Sequence, residues 1–509
     1  GGGGVGDLNE VHRMETFDMD ATNGFLDSKW YHLYCSVQRC NSALRVLNAA
    51  TDEQVNGRVS RIAEMKVLRA HYYFELSRLF NKIPYFDENV EISQYPDIPN
   101  NEFTRDEILS MLAKEMLDAA ELLPASQSEV GRIHKYIALA YAAKIKLYQA
   151  YQQDETTHAV TSINKELLRE VVSLCDQVTA SNRYGLLDDF QGLDLVANEN
   201  GKESVFAIQY SMNDGTESAG RINWSNLLNS PGGGSPYGGD GFFLPSQDLI
   251  NAYQTDANGL PDFNYQSKSD YSWAVLNNGV YTLQNTTPNV DPRLDFVVGR
   301  PTITWKTYPD KPCEGWVRDK ETYGYNCAKR FWVSPESSDM FNGWPWGASQ
   351  LNWQIIRYAD ILLWKAEALI ELNEGDGLET ARDLINQIRN RARNSAYVKD
   401  FNDHSKYAAN YLVNPYPADV WNQDYARQAL RWETRLEKAL EGERFFDLVR
   451  WGIVETTMNK YITAESDNRI YYANAHFTGG KDEYYPVPNN QYGFSGGKYV
   501  QNPGYAPFN

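Results

Sequence analysis

Helical periodicity at both ends of the chain, and its absence from the middle, constrains the fold most strongly. Between Arg61 and Phe80, apolar residues recur every three or four positions, which predicts a helix with one buried face. A short polar turn, residues 373–377, separates two later periodic segments and predicts an antiparallel helix pair. The same periodicity recurs over residues 104–117, 133–148, 164–179, 356–370 and 378–393.

The helical segments predict a mainly α protein built on a scaffold of helix pairs. Several segments carry an aromatic-and-alanine face of the kind found in tetratricopeptide hairpins, although their spacing is not a regular ~34 residues. We therefore predict a tetratricopeptide-like helical-repeat scaffold in two halves. The N-terminal half is expected over residues 1–200 and the C-terminal half, with its closing loops, over 353–509.

Residues 201–352 form the predicted insertion between these halves, loop-rich and partly β. The segment contains the run Asn229-Ser-Pro-Gly-Gly-Gly-Ser-Pro-Tyr-Gly-Gly-Asp-Gly241 and short β-like stretches such as 204–210. Irregular segments of this length are uncommon unless they carry a function. Tryptophan is concentrated here, since residues 213–353 hold 8 of the 13 tryptophans. The insertion is therefore the expected ligand-binding region.

Charge and cysteine content exclude several classes of protein. The formal charge of −19 disfavours a nucleic-acid partner. The five cysteines are too sparse for a disulfide framework, and no Cys/His spacing indicates a zinc site. Cys313 and Cys327 flank a short segment that a disulfide would close, and the sequence leaves that pairing open.

Four separated motifs resemble those of the SusD/RagB family of nutrient-binding lipoproteins. The helix 431–452 closes with Glu-Gly-x-Arg-Phe-Phe-Asp-Leu-x-Arg-Trp-Gly. Earlier segments read Glu-x-x-x-Leu-Arg-Ala-x-x-Tyr-Phe over 64–74 and Arg-x-Ala-Asp-x-Leu-Leu-x-x-Ala-Glu-Ala over 357–368. The C-terminal segments 485–490 and 501–505 fit as well, so the resemblance spans essentially the whole chain.

The resemblance implies a surface protein that binds a polysaccharide or oligosaccharide without cleaving it. It implies a partner, a SusC-like TonB-dependent porin of the outer membrane, to which the glycan is delivered. Members carry a lipid-anchored cysteine ahead of their first helices, so a lipoprotein on the cell surface is expected from the family alone. No cofactor is implied, and whether calcium stabilises a loop is left open.

Aromatic side chains flanked by polar groups are the residues that a sugar site needs. Aromatic rings stack on the apolar faces of a sugar, and polar side chains bind its hydroxyl rim. For any single tryptophan, core packing is the more common role, but the set is expected to include at least one platform. The candidates in the insertion are Trp273, Trp305, Trp316 with Arg318 and Asp319, and Trp346 in the turn Trp344-Pro-Trp-Gly.

Further candidates lie outside the insertion. In the family, the loop entering the first helix often contributes to the site, which makes Asn23 and Phe25 candidates and Asp7 a weaker one. Arg357 opens its helix directly after the insertion and is a candidate contact, with an ion pair as the alternative. The motif residues Glu443, Arg444, Asp447 and Arg450 are interpreted as structural ion pairs.

Two other functions fit parts of the pattern. A glycoside hydrolase would need a pair of carboxylates, for which Asp262, Asp270, Glu314 and Asp319 are available, although no motif favours any pair. A helical-repeat protein that binds a peptide or protein would use the helix pairs but would leave the tryptophan-rich insertion without a role.

Overall fold

A computed structural model describes residues 6–216, 220–229, 231–232, 234–271, 274–277, 280–283, 288–306, 313 and 315–508. Fifteen α-helices lie in these ranges. The helices are α1 (Asn9–Glu15), α2 (Gly24–Ala49), α3 (Arg58–Phe80), α4 (Arg105–Leu122), α5 (Lys135–Ala150), α6 (Lys165–Ala180), α7 (Gln247–Ala252), α8 (Arg293–Val297), α9 (Lys320–Tyr323), α10 (Tyr358–Leu372), α11 (Gly377–Asn394), α12 (Gln423–Glu437), α13 (Arg444–Arg450), α14 (Val454–Glu465) and α15 (Asn489–Phe494).

The strands are short and pair two by two, in antiparallel register. They are β1 (Tyr151–Gln153), β2 (Val160–Ile163), β3 (Ser204–Ile208), β4 (Gln254–Thr255), β5 (Ala274–Asn277), β6 (Val280–Leu283), β7 (Asn289–Val290), β8 (Val298–Gly299), β9 (Cys327–Ala328) and β10 (Trp353–Arg357). The predicted fold class, mainly helical with a partly β insertion, is confirmed.

Consecutive helices pack against one another to form the scaffold. Helices α2 to α6 follow one another in contact, α6 contacts α10, and α10 contacts both α11 and α12. Local sequence explains where several of them begin. The Thr104 hydroxyl accepts from the Glu107 N–H at the start of α4, and the Glu107 carboxylate accepts from the Thr104 N–H, as the sequence predicts. One large apolar core runs through these helices.

The insertion is joined to the scaffold through the pair β3–β10, which brings its two ends together. Trp353 lies opposite Ile208, and Arg357 opposite Ser204. The Tyr358 N–H at the start of α10 donates to the Glu203 carbonyl at 2.8 Å. A second apolar core, with members from residues 250–303 and from 398–439, packs the insertion against the C-terminal half.

Buried ion pairs lock the insertion to α10, α11 and α12, and Arg357 belongs to them. Its guanidinium contacts Glu437 at 2.6 Å and Glu203 at 3.0 Å, and only 1% of its side chain is exposed. The prediction that Arg357 contacts the ligand is therefore wrong, because no face of its guanidinium is open to a ligand. The arginine charges hold the pKa of Glu437 down at about 2 despite its burial.

Three of the four motif charges form the expected ion pairs. Glu443 pairs with Arg78 at 3.0 Å and with Lys144 at 3.1 Å, while Arg450 pairs with Asp447 at 2.8 Å and with Glu367. Arg444 differs, since no carboxylate lies within salt-bridge distance of it in the described part of the chain. Cys313 and Cys327 are not joined by a disulfide in this structure. No described helix is both long enough and apolar enough to cross a membrane.

Candidate functional site

The described tryptophans of the insertion fall into two clusters with opposite surroundings. Trp305, Trp316 and Trp332 surround Tyr237 with ring centroids 6.0, 6.4 and 4.6 Å from it. The Trp305 Nε1–H donates to the Tyr237 hydroxyl at 2.8 Å, and that hydroxyl donates to the Val333 carbonyl at 2.7 Å. These three rings are 1%, 4% and 1% exposed and form the core of the insertion.

The burial of Trp305 and Trp316 shows that the prediction of these two residues as ligand platforms is wrong. Trp305 and Trp316 present no open face to a ligand, because their rings are enclosed by other aromatic side chains and the indole N–H of Trp305 already has a partner. Trp273 lies outside the described residues. Among the predicted tryptophans, Trp346 alone is both described and substantially exposed.

Trp224 and Trp344 are exposed and in contact, Trp346 is exposed two residues further along the same turn, and we name these three residues the aromatic platform. Their side chains are 40%, 61% and 45% exposed. The Trp224 and Trp344 rings meet edge to face, with centroids 5.1 Å apart and planes at 90°. Exposed tryptophans in contact are unusual on a protein surface unless they bind something, because their burial would stabilise the fold. The platform is therefore the best candidate for a ligand site.

Backbone contacts hold the platform in place. The loop that carries Trp344 and Trp346 is closed at its base, where the Phe341 N–H donates to the Ala348 carbonyl at 2.8 Å. Ser349, the next residue, forms a β-bridge with Asn223, directly before Trp224. The segment with Trp224 and the loop with Trp344 and Trp346 are thus held together by one β-bridge, which orders the backbone beneath the rings.

Two glycines allow close packing beneath the exposed rings. A Cβ on Gly347 would overlap the buried Trp332 ring, so this glycine lets the platform loop rest directly on the insertion core. Gly238 has a φ of +73°, and its Cβ would lie 3.1 Å from the Trp346 indole. Gly238 thus backs one side of Trp346, and it belongs to the glycine-rich run that the sequence marks as a loop.

Polar side chains adjoin the platform in sequence. Ser225 follows Trp224, Asn342 precedes Trp344 by two residues, and both are exposed. At the base of the loop, burial raises the pKa of the Glu199 carboxyl to about 7, and the nearby Asp339 adds to the shift. Glu199 accepts from the Asn352 N–H at 2.5 Å. The platform thus combines stacking faces with hydrogen-bonding groups and has an ionisable group at its base.

The remaining candidates lie elsewhere. Arg318 is exposed and pairs with Asp7, so the structure joins two predicted residues that are 311 positions apart in the sequence. Asp319 caps α9, where its carboxylate accepts from the Thr322 N–H at 3.2 Å. Asn23 is buried and caps α2 by accepting from the Phe25 and Leu26 N–H groups. Phe25 is 40% exposed on the first turn of α2, beside α1.

The sequence analysis missed Trp224 as a site residue and named Trp344 only as part of a turn. For Trp344 a signal existed, since it shares with Trp346 a turn rich in proline and glycine, where side chains tend to be exposed. For Trp224 the signal was weaker, consisting of its polar neighbours Asn223 and Ser225. Nothing in the sequence shows that residues 224 and 344 meet.

The described acids that a hydrolase would need are engaged in other contacts. Asp262 pairs with Lys268, Asp270 accepts from the Asn251 amide at 2.8 Å, and Asp319 caps its helix. Glu314 lies outside the described residues. Within the described ranges, no cluster of three or more His, Cys, Asp or Glu side chains is arranged to hold a metal ion.

A helical-repeat scaffold with exposed aromatic rings on a loop-rich insertion is the architecture expected of a binding protein. Comparison with known proteins gives the family. A profile described as the SusD family matches residues 202–505, and a second, described as starch-binding associating with outer membrane, matches residues 7–147. The chain belongs to the SusD family.

Individual relatives are distant in sequence and similar in fold. A SusD-like protein of Bacteroides ovatus is 22% identical over 475 residues, which cover 88% of this chain and 70% of the relative. The crystal structure of a SusD superfamily protein from Bacteroides vulgatus superposes with a TM-score of 0.71 at 21% identity, covering 98% of this chain and 90% of the other.

A third relative is a surface glycan-binding protein A from Bacteroides thetaiotaomicron, solved in complex with laminarihexaose. It has a TM-score of 0.64 at 19% identity and covers 99% of this chain and 90% of its own. At these identities the superposition of solved structures shows the fold.

Proposed function

We propose that this protein binds a polysaccharide or oligosaccharide at the aromatic platform and does not cleave it. The observation that carries the proposal is the exposed, edge-to-face pair Trp224–Trp344 beside half-exposed Trp346 on an ordered loop. Rings at an angle to one another can stack on successive sugar units of a curved chain, while the polar neighbours bind hydroxyls. Membership of the SusD family and the laminarihexaose complex of a relative support a glycan as the ligand.

We further propose that the protein acts at the outer membrane and delivers its glycan to a SusC-like TonB-dependent porin. The description of the family profile over residues 7–147, starch-binding associating with outer membrane, supports the location. The porin is an inference from the family. Co-purification of the two proteins from outer membranes tests the partnership independently of glycan binding.

The binding proposal is tested by titrating the protein with a panel of neutral hexasaccharides, laminarihexaose first, in a calorimeter. We expect one member of the panel to bind and reducing-sugar assays on the same mixtures to remain at background. Release of reducing ends by the pure protein would favour a hydrolase. Binding of peptides with no glycan bound would favour the peptide-binding alternative.

A further inference from the structure

A large cavity lies away from the aromatic platform, between the N-terminal segment, α7, and the helices α12 to α14 of the C-terminal half. Its volume is about 860 Å³. Small-molecule sites in proteins typically measure ~300–1,000 Å³. Part of its wall is apolar, formed by Phe263, Trp432, Phe445 and Met458. We name it the arginine cavity, because Arg427, Arg431, Arg435 and Arg444 also line it.

Three of these arginines lie four residues apart on one face of α12, and two of them are neutralised. Arg427 pairs with Glu371 at 2.6 Å, and Arg435 pairs with Asp248 at 2.6 Å. Arg431 lies between them and has no carboxylate within salt-bridge distance in the described ranges. Its guanidinium lies over the Trp451 ring, 5.3 Å from the centroid. Burial lowers the pKa of Arg431.

Arg444, the motif residue that formed no ion pair, is the second arginine of the cavity without a salt bridge to a described residue, although Asp447 and Asp248 lie near enough to favour its charge. Its Nη1–H donates to the Arg431 carbonyl at 3.4 Å, and its guanidinium lies 5.8 Å from the Trp451 ring centroid. Burial lowers its pKa to about 9, and the nearby positive charge of Arg435 adds to the shift. Both guanidiniums, neither of which has a salt bridge within the described ranges, therefore lie close to the same indole ring.

Holding cations partly out of water without a direct salt bridge is costly for a fold. The chain carries 67 acidic residues, so a shortage of carboxylates does not explain the missing partners. Residues whose arrangement costs stability often belong to binding sites, where the ligand supplies the missing interaction. The guanidinium group also matches the geometry of carboxylate and sulfate oxygens, which it binds through paired N–H donors.

We propose that the arginine cavity is a second binding site, which takes a short oligosaccharide bearing a carboxylate or sulfate group. Arg431 and Arg444 would bind the anion, and Trp432, Phe263 and Phe445 would contact the sugar ring. Anion binding is inferred from the geometry of the cavity alone. That the anion is part of a sugar rests on the proposed function. Because the overall charge is −19, long-range attraction does not drive this binding, so it depends on the local contacts.

The test titrates the protein with a trisaccharide of galacturonic acid, a sulfated galactose trisaccharide and the neutral galactose trisaccharide. We expect one or both anionic probes to bind and the neutral probe to bind at least ten times more weakly. The two anionic probes separate a carboxylate ligand from a sulfate ligand. Absence of binding by both would overturn the proposal.

Variants locate the site. Arg431→Gln and Arg444→Gln should each weaken binding of the anionic probe about 10-fold, as expected for the loss of a hydrogen bond to a charged group. Arg444→Lys, which keeps the charge, should retain part of the affinity. Arg39→Gln removes an exposed arginine from α2 and is the matched control. Anion affinity that is equal in wild type and both glutamine variants would contradict the assignment.

A stability measurement distinguishes binding from a structural role. If Arg444 serves a ligand, Arg444→Met should melt at the same temperature as the wild type or higher, because a partly buried charge without a salt bridge is removed. A lower melting temperature, with no anion bound by the wild type, would show a structural arginine. Should an Arg444 variant fail to fold, Arg431→Gln carries the test.

Failure of this proposal is distinguishable from failure of the proposed function. Replacing Trp344 and Trp346 by alanine should weaken neutral-glycan binding at least tenfold and leave the anionic probe bound. Arg431→Gln and Arg444→Gln should weaken binding of the anionic probe and leave neutral-glycan binding unchanged. If anion binding disappears with the platform tryptophans and persists in the arginine variants, the platform binds the anion and the cavity is not a second site.

Discussion

Two tryptophan clusters in the same insertion differ in how their rings are used. The rings of Trp305, Trp316 and Trp332 are closed around Tyr237, whereas those of Trp224 and Trp344 meet at the surface and are 40% and 61% exposed. Both clusters come from irregular chain with similar composition. The difference lies in what packs against the rings. The buried rings are enclosed by distant segments, whereas glycines lie beside the exposed turn, with Gly238 against Trp346 and Gly347 against Trp332.

The high tryptophan content of the insertion indicates a functional region, but it does not indicate which ring binds a ligand. The buried cluster gives an irregular segment a core of its own, and the platform is mounted on that core through Gly347, which touches Trp332. A stable base of this kind lets an exposed aromatic site stay ordered at a low entropic cost on binding. Substitutions in the two clusters should separate these two roles.

The largest expected effect is on stability, from Trp332→Ala. Loss of a fully buried aromatic ring typically costs about 3–5 kcal/mol, and Trp332 is 1% exposed. Denaturant unfolding followed by circular dichroism should show a markedly lower midpoint. Trp344→Ala, at an exposed position, is the control and should change the midpoint little. Equal midpoints for the two variants would remove the distinction between the clusters.

The next effect is on binding, from the double substitution Trp344→Ala and Trp346→Ala. Stacking of an aromatic ring on a ligand is worth about 1–3 kcal/mol, by analogy with stacked nucleobases. Affinity for the neutral glycan should therefore fall at least tenfold, with thermal unfolding nearly unchanged. Tyr31→Ala removes an exposed ring from α2 and serves as the matched control. A variant that binds as tightly as wild type would show that the platform is not the glycan site.

A smaller effect is expected from Gly238→Ala, compared with Gly215→Ala. Both glycines have positive φ, so alanine should cost each of them about 1 kcal/mol of stability. A Cβ at 238 meets the Trp346 indole, whereas at 215 it meets nothing within 4 Å. Calorimetry should show glycan affinity reduced by about 0.5–1 kcal/mol for Gly238→Ala alone. Equal affinities would mean that this contact does not position Trp346.

The smallest expected effect is a pH dependence of stability from Glu199. Its folded pKa of about 7 lies above the ordinary value of 4.5, so the folded state binds more protons than the unfolded state between those values. The resulting stability is present below about pH 4.5 and is lost as the pH rises through 7. Because Glu199 is partly exposed, the loss should stay under about 1 kcal/mol.

Melting temperatures of wild type and Glu199→Gln, measured from pH 5 to pH 8, check this prediction. The wild type should lose stability toward pH 8 more than the variant does. Parallel curves would mean that Glu199 titrates near its ordinary pKa and that the base of the platform loop is insensitive to pH in this range.

Much of the scaffold could be predicted from the sequence, because helical periodicity and capping are local signals. The helix expected over 61–80 begins at Arg58 and ends at Phe80, and Thr104 caps α4 as its sequence indicates. Family motifs carried the expectation of a binding protein. These signals lie within a few residues of one another and do not depend on the tertiary fold.

The site could be predicted only in part, because burial in an irregular segment depends on contacts between distant residues. Trp305 is buried by Tyr237, 68 positions away, and no periodicity reveals that pairing. The contact between Trp224 and Trp344 is also between distant parts of the sequence, and no periodicity reveals it. Arg357 was a candidate because of its place in the sequence, yet its partners Glu203 and Glu437 come from separate segments. Charge type alone likewise did not show that Arg444 lacks an ion pair.

The most direct test of the account is fluorine NMR of protein labelled with 5-fluorotryptophan, titrated with laminarihexaose or whichever neutral hexasaccharide the panel identifies. Resonances are assigned by single substitution of each tryptophan. We predict that the signals of Trp224, Trp344 and Trp346 shift with saturation, while those of Trp305, Trp316 and Trp332 stay in place. Shifts confined to the buried cluster, or a bound glycan that moves no signal of the platform, would contradict the central claim.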